Sequence, residues 1–583
     1  MDKRTRRTLL SGAANTGSTT SASAARDHES AAAVGPARWA RQDTSVARAV
    51  LDLGASDEVN ERWVPQPNVI KKQGVESQAN VAAFAAGLGI FFSALLPRLY
   101  CLYFLTDPEN PGLGWFNDTL HHWQIAYLSN EIGFSKGFLT LWDFKGMEYF
   151  WGLLHPLVLA MLFRVSGSVD IIIPRLLSAF ASSVSYALIF VLLRRYFNTH
   201  VAVGATLLAV ANPVAIFGDT AGMQEPLGVV LLMTALVLWP RKSFWGGILA
   251  GLAGMVRAEY WVFGAGLLVA SWLTRENGER KITLAIGWAV PSLLYMRYML
   301  AKTGNAIYPV YWNYFGTVAG QWMPDRSPTS LESLTQWAAR LVFALAVLGG
   351  IWLVRRRPRG MLFLGMGLAN ILLLGFMWGF SDYVLGFETR ILIGRLVIVP
   401  YIYTGIFITV LLLHFLPAKL EAGRRRTAGQ IFGWSVVLAL AVGIQLAWKP
   451  VLNYYNERAD LWTSQKLAAR QVASYYDGGT IVIPSGLPGL TYTLVRFEGI
   501  PGQALQSSMY DPFFYMKTGD PFEDWESNRQ EIAAWIDKLD IRLLTFDRGN
   551  RTYQEMVSRE PDWFRQLAPG ADGHLEIYRV TPP

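Results

Sequence analysis

Long apolar runs separated by short polar loops dominate the chain, at 81–105, 171–193, 227–239, 282–300, 338–354, 361–380, 391–416 and 431–448. Most are long enough for a helix to cross a hydrocarbon layer about 30 Å thick. Two runs break the pattern. Residues 150–163 form a short run interrupted by His155-Pro156, which suits an interfacial or re-entrant helix better than a span. Residues 244–273 have basic flanks on both sides, so this run enters and returns as two arms around Val256-Arg257-Ala258-Glu259. Each arm reaches only about 20 Å at 1.5 Å per residue, which places Arg257 and Glu259 below the membrane surface.

With 150–163 not crossing, Arg194-Arg195, Arg241-Lys242, the 275–281 cluster, the 355–359 cluster and Arg424-Arg425-Arg426 all fall on one side. That side is the cytoplasm, because short cytoplasmic loops carry the excess of Lys and Arg. The expected chain is an α-helical polytopic membrane protein with about eleven transmembrane helices. Its expected parts are a disordered cytoplasmic tail (1–78), a transmembrane domain (79–450) with a long first external loop (106–170), and an extracytoplasmic domain (451–583). The last reads as a small α/β domain, with strands at 480–484, 542–546 and 575–580 and helices at 459–475, 528–539 and 552–558. The tail is rich in Ala, Ser, Thr and Arg, and its Arg6-Arg7 pair lacks the apolar run of an export signal.

Composition supports the membrane reading. Of 583 residues 52% are hydrophobic and only 16% charged, against about 25% charged in a typical soluble protein. The net charge of +8 is topology rather than a nucleic-acid signal, since the basic residues sit largely in inter-span loops. Cys101 is the single cysteine, which excludes an intramolecular disulfide framework and a Cys-based zinc site. The turn at 482–489 lacks the spacing of a dinucleotide fingerprint.

Polar chemistry gathers at one end of the spans. On a helix, Asp118, His121 and His122 stand at i, i+3 and i+4 and share a face; they point to proton-transfer or cation chemistry at a membrane surface, or to an ordinary polar helix. Carboxylates at outer ends are Asp118, Asp219, Glu225, Glu259, Asp382 and Glu388, and the bases there are Arg98, Arg257, Arg297, Arg390 and Arg395. Ionisable groups at that depth are functional candidates; a structural Arg257–Glu259 pair is the competing reading. The one-sided gathering fits an enzyme acting on a lipid head group better than a channel.

The order of these features resembles the GT-C superfamily of membrane glycosyltransferases, which includes protein O-mannosyltransferases, aminoarabinose transferases and oligosaccharyltransferase catalytic subunits. The resemblance covers roughly residues 81–450. It rests on Asp118 in a long first loop, Leu153-Leu154-His155-Pro156-Leu157, Ile173-Pro174-Arg175, Ala211-Asn212-Pro213, Gly222-Met223-Gln224-Glu225, the 251–259 segment with Arg257 and Glu259, Gly304-Asn305-Ala306-Ile307-Tyr308-Pro309 and Gly394-Arg395-Leu396. It implies an inverting glycosyltransferase that moves a sugar from a polyprenyl-phosphate donor to a hydroxyl of a glycan, lipid or protein acceptor, with no nucleic-acid partner. By the same resemblance Asp118 is the general base, and Glu225, a second catalytic carboxylate, orients the acceptor, positions a sugar hydroxyl or helps to bind a cation. Arg257 and Arg395 hold the lipid phosphate, and His121, His122, His155, Glu259 and Arg390 are further substrate-binding candidates.

No cofactor is required by this reading. A divalent cation on Asp118 and Glu225 stays open, because Glu225 stands alone where the oligosaccharyltransferase branch has an acidic pair. For His155 a helix-start hydrogen bond beside Pro156 competes with a site role, and the aromatic 142–151 segment suits either a sugar site or interfacial anchoring. The alternative function is a transporter or flippase of lipid-linked sugars.

Overall fold

The computed structural model describes residues 67–111, 117–133, 152–273, 278–311, 405–420, 423–483, 488–507, 522, 525–569 and 575–581. Helix α1 (Pro67–Tyr100) continues through a wider turn, Cys101–Leu105. Next come α2 (Asn117–Leu128), α3 (Leu154–Ser166), α4 (Ile172–Tyr196), α5 (Thr199–Val210), α6 (Pro213–Thr220) and α7 (Glu225–Leu238). The arms α8 (Ser243–Gly254) and α9 (Ala258–Leu273) precede α10 (Gly278–Thr303), α11 (Gly405–Lys419) and α12 (Arg424–Ile444).

Four of these helical stretches are long and apolar enough to cross a membrane, and a fifth arises if α5 and α6, bent by 64°, count as one broken span. The described part of the 150–163 run holds a single short helix, α3, and the 244–273 run is two arms meeting at a turn. Asn212-Pro213 makes the bend between α5 and α6: Asn212 caps α6 by accepting from the Val214 amide, and Pro213 fits a helix's first position. Helix α1 begins at Pro67, inside the expected tail; Pro67 fits a helix's first position. The rest of that tail, the runs at 338–354 and 361–380 and the 142–151 segment lie outside the described residues.

Helices α4, α5, α7, α8 and α9 share one apolar core, with Tyr186 and Phe190, Val201 and Ala205, Leu232 and Leu236, Ala250 and Ala253, and Phe263 and Leu267 all buried in it. In lipid such packing is driven by close backbone approach. Gly247 of α8 shows it: a Cβ there would stand 2.3 Å from the Leu284 carbonyl of α10.

The chain then runs through a short turn into α13 (Trp448–Ser474), so the expected boundary at 450 falls within nearly continuous helix. Beyond it lie β1 (Thr480–Ile483), α14 (Pro488–Arg496), β2 (Leu505–Ser507), α15 (Trp525–Lys538), β3 (Ile541–Asp547), α16 (Arg551–Arg559), β4 (Phe564–Pro569) and β5 (Leu575–Val580). The sheet order is β2-β1-β3-β5-β4, with β1 parallel to β2 and β3, and β5 antiparallel to β3 and β4. Successive strand residues face opposite sides. Ile481, Ile483 and Leu543 accordingly pack with α13 and α14, while Val482, Leu544 and Phe546 pack with α15 and α16.

This α/β domain is seated on the first loop. Leu120, Trp123 and Tyr127 of α2, Leu159 and Phe163 of α3, Trp462 of α13 and Tyr492 of α14 form one buried cluster. The Tyr492 hydroxyl accepts from the Ile171 amide at 3.3 Å, and Arg496 pairs with Asp170 at 3.1 Å.

Candidate active site

Two chain turns, 221–224 and that between α8 and α9, and the starts of α2, α3 and α7 converge where the apolar helices end. Asp118 lies in the first turn of α2, where the helix dipole favours a carboxylate, and it is half-buried. The next residue anchors it, since Thr119 Oγ1 donates to the Ala221 carbonyl at 2.9 Å. The 221–224 turn is fixed from the other side by Ser178, whose hydroxyl donates to the Met223 carbonyl at 2.5 Å. Gly222 sits at φ +88°, and a Cβ there would come within 2.8 Å of Thr119 and 3.2 Å of the Arg175 amide. That turn delivers Glu225 at the start of α7.

Glu225 is buried and takes the Arg257 guanidinium on Oε1 at 2.8 Å. The Tyr260 hydroxyl donates to the Glu225 carbonyl at 2.9 Å. Arg257 thus pairs with Glu225 across two helix starts, a partner other than the Glu259 of the competing structural-pair reading. Packing makes the contact, because α7 runs against the α8–α9 turn, where the Tyr260 hydroxyl also reaches the Glu225 carbonyl. The main chain of Glu259 lies in α9; Arg390 and Arg395 lie outside the described residues.

The α8–α9 turn also receives α3, because the Leu154 amide donates to the Met255 carbonyl at 2.9 Å. His155 follows, fully buried, with its ring edge-on to that of His122 at 4.9 Å between centroids. The expected helix-start hydrogen bond of His155 is not made: among the described residues neither ring nitrogen has a partner. His121 is half-buried beside His122. The structure therefore links these candidates in turn: Thr119 beside Asp118 holds the turn before Glu225, Glu225 pairs with Arg257, and His122 meets His155, whose neighbour Leu154 holds the turn before Arg257.

Burial pushes the His155 imidazole down to about 3. An unfolded histidine titrates near 6.5, so as pH falls below that value the unfolded chain takes up a proton that the folded chain refuses. The stability that neutral His155 contributes is complete above about pH 6.5, and about 1.4 kcal/mol per pH unit is lost on the way down towards 3. His155→Phe is expected to flatten that slope, and denaturation midpoints at pH 7.5 and 5.5 check it; an unchanged slope would show that other groups carry it.

Two buried arginines frame the site. Arg98 donates twice to Asp219 Oδ2, at 2.9 and 2.7 Å, and its guanidinium lies 4.6 Å from the centre of the Tyr186 ring, whose hydroxyl donates to the same oxygen. Both members stood in the outer-end sets read from sequence, but not as a pair. Arg175 was absent from them. Its Nε donates to the Thr220 carbonyl, Nη1 to the carbonyls of Asp107, Pro108 and Asn110, and Nη2 to Thr106 Oγ1, at 2.6–3.1 Å. It ties the start of the first loop to the end of α6. The available sequence signal was a lone Arg in the first turn of an apolar span, just after Pro174.

Chemically, the arrangement offers an anchored carboxylate, a second carboxylate locked to a guanidinium, and a neutral imidazole. Among the described residues no group of three or more His, Cys, Asp or Glu is placed to hold a metal ion; Asp118 and Glu225 are the carboxylates a cation would draw on.

Residues 118–304 match the model of the Alg9-like mannosyltransferase family. No curated protein matches the chain. Among solved structures the chain is similar to ArnT from Cupriavidus metallidurans bound to undecaprenyl phosphate, at 14% identity and TM-score 0.48, covering 86% of this chain and 98% of that one. It is also similar to the archaeal oligosaccharyltransferase AglB from Archaeoglobus fulgidus in complex with an inhibitory peptide and a dolichol-phosphate, at 13% identity and TM-score 0.48, covering 85% and 74%.

Proposed function

We propose that this chain, a GT-C superfamily membrane glycosyltransferase, transfers a sugar from a polyprenyl-phosphate donor to a hydroxyl-bearing acceptor, with inversion, at the outer face of the membrane. The observation that carries the reading is the Glu225–Arg257 pair at two helix starts, with Thr119, the neighbour of Asp118, bonded to the 221–224 turn that delivers Glu225. The basic pairs at the far ends of these helices, Arg194-Arg195 after the body of α4 and Arg241-Lys242 after α7, support the outward orientation.

Each group has a chemical task in this proposal. Asp118 takes the proton of the acceptor hydroxyl as its oxygen attacks the anomeric carbon. The bond from that carbon to the phosphate oxygen breaks, and the oxygen keeps the electron pair, so polyprenyl phosphate leaves without a strong acid. A single displacement inverts the anomeric centre. Arg257 stabilises the charge gathering on phosphate, a role suited to a planar guanidinium, and Glu225 holds it in place through the 2.8 Å bond. The α/β domain packs against α2 and α3, which carry Asp118 and His155.

Arg257→Lys tests the phosphate role, because it keeps the charge and loses the fork. Losing one charge-assisted bond, about 1.5–3 kcal/mol, is expected to lower kcat/KM for the donor roughly 10- to 150-fold. Steady-state transfer with varied donor reads it, and kinetics equal to wild type would remove Arg257 from the phosphate site.

A further inference from the structure

We propose that a groove between the end of α1 and helix α13 is a saccharide-binding subsite for the acceptor; it rests on the transferase reading and adds where the acceptor's glycan is held. The groove has a volume of about 300 Å³ and is lined by Phe104, Asp107, Asn110, Tyr455, Trp462 and Thr463, among others. That is the low end of the range for small-molecule sites. It opens where the apolar stretch Phe84–Leu105 stops, at the level at which a membrane-anchored glycan would present its sugars.

The walls offer hydrogen-bonding capacity that the protein leaves unused. The Tyr455 hydroxyl accepts from the Asp107 amide at 2.7 Å, and its own proton finds no acceptor among the described residues. Trp462, 3% exposed and stacked on Tyr492, backs this wall from within the buried cluster. A ligand oxygen at the Tyr455 hydroxyl would give its proton an acceptor. The Asp107 carboxylate accepts from the Glu109 amide with Oδ1, and Oδ2 has no partner among the described residues.

A hydroxyl donor, a carboxylate acceptor and the exposed ring of Phe104 match a ring that alternates hydroxyls with C–H faces. The charge argues against an anion: no Lys or Arg lines the groove, and the neighbouring Lys466 ammonium lies 3.6 Å from Glu109 and over the Trp462 and Phe497 rings. The groove is also tied to the reacting centre. Arg175 holds the carbonyls of Asp107, Pro108 and Asn110 and that of Thr220, and the Ala221 carbonyl anchors Thr119 beside Asp118.

The test is saturation-transfer NMR on the full chain in detergent micelles, with mannotriose, maltotriose and galactobiose as neutral probes and glucose 6-phosphate as the anionic one. At least one neutral saccharide is expected to bind wild type. Ala459→Trp, which fills the groove, and Tyr455→Phe, which removes the hydroxyl donor, are each expected to weaken that binding tenfold or more. Binding needs no turnover, so it stands or falls apart from the transferase reading. Where wild type does transfer sugar, Ala459→Trp is expected to raise the acceptor KM at least tenfold with donor KM unchanged. Binding of the phosphorylated sugar alone, binding of none of the probes, or neutral-sugar binding and acceptor KM indifferent to both substitutions would overturn the proposal.

Discussion

Asp118→Asn is expected to lower sugar transfer by about two to four orders of magnitude, the usual contribution of a positioned general base, while the protein still folds and inserts. The amide is nearly isosteric with the carboxylate, and the anchoring bond belongs to Thr119, whose hydroxyl holds the Ala221 carbonyl whatever stands at 118. What changes is proton affinity, together with about 0.3–1 kcal/mol of favourable charge–dipole interaction at the start of α2. Transfer assays beside thermal unfolding curves separate the two effects. Undiminished transfer by the folded variant would take the base role away from Asp118.

Asp219→Asn should show the opposite signature, with a large loss of stability and little loss of activity per folded molecule. Arg98 is fully buried, and both its Nε and Nη2 are committed to Asp219 Oδ2. Removing the countercharge strands a guanidinium in the apolar interior, a situation that costs about 3–5 kcal/mol. Neither group belongs to the reacting set, because the pair fastens α1 to α6, the helix that ends just before the 221–224 turn. The double variant Arg98→Met with Asp219→Leu is expected to regain much of the loss, since well-packed apolar replacements of a buried pair are often neutral or better. Chemical denaturation in mild detergent checks both. A double variant no more stable than Asp219→Asn would show that the pair's hydrogen bonds, beyond mere charge balance, hold these helices.

How far the sequence could be read depended on the range of the interactions. The two arms around Val256-Arg257-Ala258-Glu259 were legible because apolar length and basic flanks are local properties, and α8 and α9 meet at that turn. Strands β1, β3 and β5 were legible from apolar, β-branched runs, whereas β4, Phe564-Arg565-Gln566-Leu567-Ala568-Pro569, carries no such pattern and exists by pairing with β5. The Glu225 partner of Arg257 was not legible: it is 32 residues away, and only helix packing brings the two together. Arg175 was missed for a related reason, since four of its five acceptors are backbone carbonyls, which every residue possesses.

Vesicles holding the full chain, a polyprenyl-monophosphate sugar and a saccharide acceptor distinguish transfer from transport in one experiment. The transferase reading predicts one new glycosidic bond of inverted anomeric configuration for each polyprenyl phosphate released, with both products falling together in Asp118→Asn. Movement of the lipid-linked sugar between leaflets with no glycosidic product would contradict it, and would make the chain a carrier of such lipids instead.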